Sequence, residues 1–225
     1  AGQMMSSVAH QWKQPLNVLN LIAQNLEDIA DIEKTDKDDL LDVVQGIREQ
    51  VHFMDSTLRD YAGFISSEGI PSQFDICSAS EDAVKLLQRT IEKKNVEVDF
   101  ACPSDVQVFG PRMEFVHVIM NFVANSLDAF SSGKKGAKKV SIKGKSNEDN
   151  VVVTYEDNAG GFSGIMPEEA FLPNVSTKED KLGSGIGLYL ARQIIERSFK
   201  GEISASNTEN GALFKITLPK APQNN

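Results

Sequence analysis

Cysteine is scarce in this chain. There are 2 in 225 residues, Cys77 and Cys102. They lie far apart and form no CxxC, so neither a disulfide framework nor a zinc site is indicated, and the usage suits a reducing cytoplasm. No apolar run approaches the ~20 residues that a membrane helix needs, and no signal peptide is visible. Basic charge is also in deficit: 23 Lys and Arg stand against 32 Asp and Glu, a net charge of −9. Phosphate backbones are bound by basic surfaces, so nucleic acid is excluded as a general partner. What is present is ample core material, since 40% of the residues are hydrophobic and 24% charged. Ala1 is not an initiator Met, and the chain opens inside a helical pattern, so it reads as a piece of a longer protein.

Two periodicities divide the chain. In the first 66 residues, apolar positions recur at spacings of three and four. Met5, Val8, Trp12, Pro15, Leu19, Ile22, Leu26 and Ile29 form one seam. After the polar stretch 33–39, Leu40, Val44, Ile47, Val51, Met54, Leu58, Tyr61 and Ile65 form another. Two narrow stripes joined by a short link predict an antiparallel helical hairpin. A lone hairpin covers its own stripe poorly, whereas two hairpins make a four-helix bundle, so a homodimer is expected. The alternative is a single hairpin packed on the rest of the chain.

Gly69 and Pro71 among small polar residues predict a linker over 67–73. Beyond it, over 74–222, the texture is α+β. Strands are predicted at Val96–Phe100, Val106–Phe109, Val140–Lys143, Val151–Tyr155, Glu202–Ala205 and Ala212–Leu218. Helices are predicted at Ala79–Lys93, Arg112–Phe130 and Ile186–Phe199. Short strands joined by turns predict a mixed sheet with helices on one face.

Three constellations carry chemistry. His10 falls on the outer face of the first heptad stripe, where a neutral imidazole is an available nucleophile. His52 is also off its seam, so exposure alone decides nothing. Pro15, however, lies inside the helical pattern and should kink the helix beside His10. Such a proline costs about 3 kcal/mol in a helix interior, which stability gives no reason to keep. Asn121 and Asn125, with Asp128 roughly in line, share one face of an otherwise apolar helix. Their oxygens are hard donors suited to Mg²⁺; asparagines satisfied by backbone are the alternative. Asp157-Asn158-Ala159-Gly160-Gly161-Phe162 follows a strand pattern, and Gly183-Ser184-Gly185-Ile186-Gly187-Leu188 opens a helix. Such glycines let backbone N–H groups approach phosphates. Gly183 follows a polar loop rather than a strand, and position 139 is a lysine where a P-loop ending in Gly144-Lys145-Ser146 needs its first glycine. Both familiar nucleotide motifs are therefore set aside.

Taken in order, these pieces resemble the core of a sensor histidine kinase. Ala9 to Leu16 is similar to its H box, Asn121 to Ala129 to its N box, Asp157 to Phe162 and Gly183 to Leu188 to its two glycine boxes. Phe171-Leu172-Pro173-Asn174-Val175-Ser176-Thr177-Lys178 is similar to the F box that leads into an ATP lid. The resemblance implies a dimerisation and phosphotransfer hairpin followed by an α/β sandwich of the kind shared with gyrase and Hsp90. It implies ATP and Mg²⁺ as cofactors, His10 as phosphoacceptor, and Asn125 as the Mg²⁺ ligand with Asn121 beside it. Asp157 would accept from the adenine amino group, supported by Gly161. Gly183, Gly185 and Gly187 would flank the triphosphate under a lid of roughly 174–182, with Lys178 the lid cation best placed to meet phosphate. The expected partner is the receiver domain of a response regulator. Placement would be cytoplasmic, with a membrane reached only through a sensor region outside this chain.

Two positions depart from the family pattern at the acceptor. Gln11 stands where many members have an acid, leaving the general base unassigned, and Gln14 stands where many have the Thr or Asn used in dephosphorylation. In the nucleotide domain, Ala159 replaces a glycine, which is tolerated unless the position needs a positive φ. The rival readings are an ATPase of the same superfamily and a degenerate kinase acting as a dimeric scaffold. An amide at Asn121, where the related ATPases have a glutamate, disfavours hydrolysis.

Overall fold

The computed structural model describes residues 15–24, 26, 40–51, 54, 70–102, 106–130, 136–173, 175 and 185–220. They belong to two compact units, each taken by itself. His10, Gln11, Gln14, Lys178 and Gly183 lie outside the described residues.

In the first unit, α1 (15–24) and α2 (40–51) are helical. They touch closely: a Cβ added to Gly46 would lie 3.2 Å from Ile22 Cδ1. Seam residues Leu19, Ile22, Leu26, Ile47 and Met54 are half-buried, but Leu40, Val44 and Val51 are exposed, as are Leu16, Leu21 and Leu41. Among the described residues, the exposed seam positions all lie on α2.

The second unit is α+β. Its main sheet has five strands in the order β2-β4-β5-β7-β6. These are β2 (Val96–Ala101), β4 (Lys138–Ser146), β5 (Asn150–Asp157), β6 (Glu202–Asn207) and β7 (Ala212–Pro219). The β2/β4 pair is parallel and the rest are antiparallel, so the sheet is mixed. Strict alternation puts Val151, Val153, Tyr155 and Asp157 on the buried face of β5, and Ala212, Phe214, Ile216 and Leu218 on that of β7. The helices α3 (Ile76–Leu86), α5 (Arg112–Ala129) and α6 (Gly187–Ser198) share the same core. Phe122 of α5 stacks on Phe214 at 4.3 Å between ring centroids, joining helix to sheet. Each such fully buried side chain contributes roughly 1.5–3 kcal/mol.

Three expectations need correction. A strand, β1 (Ser72–Asp75), pairs with β3 (Gln107–Gly110), so Ser72 and Gln73 leave the expected linker and join the folded unit. The predicted helix over 79–93 is two: α3 stops at Leu87, whose N–H turns back to Lys85 and Val84, and α4 (Gln88–Lys93) begins anew. α3 also starts earlier than expected, because the Asp75 carboxylate accepts from Ser78 N at 2.7 Å and caps it. Finally, Cys77 and Cys102 are bonded to each other. Their separation of 25 residues concealed a convergence in space, where the start of α3 and the end of β2 meet against Gly144. The inference from cysteine to a reducing compartment therefore loses its support. No helix among the described residues is long and apolar enough to cross a membrane.

Candidate nucleotide site

The site forms where α5, the end of β5 and the start of α6 converge. Helix α5 carries Asn121 and Asn125 half-buried, each followed directly by a core residue, Phe122 and Ser126. Asn121 Nδ2 donates to Gly187 O at 3.1 Å, tying this helix to the first turn of α6. The Asn125 side chain makes no hydrogen bond among the described residues, which leaves its amide oxygen available. Asp128, which sequence placed roughly in line with the two asparagines, is exposed and pairs with Lys94 at 4.0 Å.

Asp157 ends β5 on the buried face and is only 7% exposed. Its Oδ1 accepts from Ala159 N at 2.9 Å and from Ala212 N at 3.1 Å, and its Oδ2 accepts from Ser126 Oγ at 2.5 Å. The helix bearing the asparagines is thus bonded directly to both glycine segments: through Asn121 to the second and through Ser126 to the first.

The loop after Asp157 is braced from three sides. Asn158 is held against β4, its Oδ1 accepting from Lys139 N and its Nδ2 donating to Ala137 O, both at 2.8 Å. Gly160 N donates to Asn210 O at 2.9 Å. Asn207 clamps Phe162, accepting from its N–H at 2.7 Å and donating to its carbonyl at 3.1 Å. Gly160 and Gly161 take φ of 109° and 73°, which a side chain would resist. Ala159 has no positive φ, so its replacement of a glycine carries no strain. Gly185, with φ 63°, precedes α6, whose first N–H groups have no partner within the helix. Phe171 of the F box is 1% exposed; it packs edge-on against Phe214 at 6.4 Å, and Arg192 lies 4.8 Å over its ring.

Of the residues singled out from sequence, the fold brings together Asn121, Asn125, Asp157, Gly161, Gly185 and Gly187. Ser126, Tyr155, Asn207 and Gly211 join them, and no motif marks these four in the sequence. Asn207 and Gly211 are remote in sequence from every motif, whereas Ser126 follows Asn125 directly and could have been questioned as a polar residue on a core face.

Residues 110–222 match the family described as histidine kinase-, DNA gyrase B- and HSP90-like ATPase. The chain belongs to this family. It is 30% identical over 98% of its length to the two-component sensor PprA of Pseudomonas aeruginosa, of which it covers 24%. It is 25% identical to the C4-dicarboxylate transport sensor protein DctB of Rhizobium meliloti, again over 98% of this chain and over 35% of that protein. The chain therefore spans about a quarter to a third of these relatives. In structure it is similar to the catalytic domain of histidine kinase ThkA, with TM-score 0.59 and 26% identity over 68% of this chain and 99% of that one. A second ThkA structure, a complex with the response regulator protein TrrA, shares the fold at TM-score 0.68 and 20% identity, covering all of this chain and 63% of that one.

Proposed function

We propose that this chain is the autokinase core of a two-component sensor: it binds ATP, transfers the γ-phosphoryl group to His10, and passes it to an aspartate on the receiver domain of a response regulator. The observation that carries the reading is the direct bonding of one helix, α5, to both glycine segments, through Asn121 to Gly187 and through Ser126 to Asp157. This arrangement gathers an amide oxygen, a buried carboxylate and a helix N-terminus around one place. Those groups suit a cation, a base amino group and phosphates respectively.

The residues divide the work of binding. Asp157 accepts from the adenine amino group, and Gly161 lets the backbone come close to the base. Gly185 and Gly187 give the triphosphate backbone N–H donors at the start of α6, where the helix dipole favours anions, and Gly183 of the same glycine segment joins them in holding the phosphates. Lys178 is the lid cation that meets the phosphates. Asn125, whose oxygen has no other partner among the described residues, fits Mg²⁺, with Asn121 kept in register by Gly187. Mg²⁺, when bound with ATP, supplies neutralisation of the phosphate charge.

Transfer itself needs alignment more than covalent help. A neutral imidazole nitrogen of His10 forms a bond to the γ-phosphorus as the bond from that phosphorus to the β–γ bridging oxygen breaks, and ADP leaves. The amide of Asn121 cannot activate water, which favours a histidine acceptor over hydrolysis.

The helical unit serves as the dimer interface. Val44 is 45% and Val51 53% exposed in the single chain, and a second copy pairing into a four-helix bundle would bury them. The response-regulator partner is taken by analogy with ThkA, whose complex with TrrA shares the fold. Incubation with γ-labelled ATP tests the function: label that is stable to alkali, labile to acid and lost in His10→Gln is the expected result.

A further inference from the structure

Ser126 is 2% exposed and its hydroxyl carries one proton whose destination is set by its neighbours. Tyr155 Oη donates to Ser126 Oγ at 2.8 Å, and Ser126 Oγ donates onward to Asp157 Oδ2 at 2.5 Å. Loss of solvent pushes the Tyr155 phenol far above its ordinary range; the hydrogen bond to Ser126 opposes this and the charge of Asp157 adds to it. Tyr155 therefore stays protonated and keeps its place at the head of the chain. Hydrogen bonds in series polarise one another, so the donor that reaches Asp157 is stronger than a lone serine.

A carboxylate offers about four acceptor positions. Ala159 N and Ala212 N occupy Oδ1, and Ser126 occupies one position on Oδ2. Among the described residues a single position is left over, on Oδ2, and its direction follows from where Ser126 stands.

We propose that Ser126, backed by Tyr155, is a positioning residue for base selection: it turns the one remaining acceptor of Asp157 toward a donor on the nucleotide base, the 6-amino group of adenine. The inference rests on the reading of Asp157 as the adenine acceptor and extends it to the pair beneath. A base with a keto oxygen at that place would set acceptor against acceptor.

Calorimetric titration of the 225-residue chain with ATP and with purine riboside 5′-triphosphate, which lacks only the amino group, tests it. The wild-type chain should prefer ATP by about tenfold or more, the worth of one hydrogen bond to a charged group. Ser126→Ala should erase most of that preference by weakening ATP, while affinity for the analogue stays within about twofold. Tyr155→Phe removes a single oxygen from a packed ring and should cut the preference by about threefold, with no further effect once Ser126 is alanine. Ser126→Thr should keep the preference. Should Ser126→Ala fail to fold, Tyr155→Phe carries the test. Equal weakening of both nucleotides in the two variants would overturn the proposal and leave Ser126 with packing alone. Asp157→Asn separates the two levels. If it abolishes the preference while Ser126→Ala and Tyr155→Phe leave it intact, only the positioning role falls. If it leaves the preference intact, the adenine reading falls with it.

Discussion

The side-chain amide of Asn121 donates to the main-chain carbonyl of Gly187 at 3.1 Å across 66 positions of sequence. This bond fixes the start of α6 against α5, and so sets where the glycine segment stands relative to Asn125. Asn121→Ala should lower unfolding free energy by only about 1 kcal/mol, the net worth of such a bond. Labelling by γ-labelled ATP should slow by roughly tenfold to a hundredfold, because transfer is sensitive to small misplacements. Denaturant melts alongside labelling rates check the split between the two effects.

Gly211 offers a different test. A Cβ there would collide with the Asp157 carbonyl and come within 2.7 Å of its Oδ1. Neighbouring backbone cannot yield as a flexible side chain would, so Gly211→Ala should destabilise the fold by about 2 kcal/mol. It should weaken ATP binding as well, since the displaced residue is Asp157. Thermal melting and calorimetry on one variant measure both.

Tyr155 predicts a pH dependence. Burial raises its folded pKa above the ordinary 10.0, so its contribution to stability is fully present below about pH 10 and is lost as pH rises further. Above that pH the unfolded chain releases the proton and the folded chain does not. Denaturant midpoints measured from pH 8 to 11 should fall at the alkaline end, and Tyr155→Phe should flatten that fall. An equally steep fall in the variant would place the effect elsewhere.

Assembly can be tested without touching the nucleotide site. Val51 is 53% exposed in the single chain, so a charge there is harmless to the protomer and unfavourable in a covered interface. Sedimentation should show a wild-type dimer at micromolar concentration and a Val51→Glu monomer. ATP affinity should be unchanged between them.

Much of this was legible in the sequence, for reasons specific to each element. Alternation along Val151 to Asp157 marks β5 and already assigns Asp157 to the same face as Tyr155. Spacing of four places Asn121 and Asn125 together on α5. By contrast, β1 is four residues beside a proline, too short to show a period, and its strand character comes from pairing with β3. The cysteine pair and the Asn207 clamp are contacts between segments distant in sequence, which periodicity does not report. Ser126 shows in the sequence only as a polar residue on a core face beside Asn125; its role comes from its hydrogen bonds to Tyr155 and Asp157.

In the proposed mechanism His10 accepts the γ-phosphoryl group at a site organised by Asn125 and Asp157. Labelling of the wild-type chain, His10→Gln and His52→Gln with γ-labelled ATP, scored for alkali-stable and acid-labile label, measures it most directly. Label is expected in the wild type and in His52→Gln, and none in His10→Gln despite intact ATP binding. Label that persists in His10→Gln and vanishes in His52→Gln would contradict it.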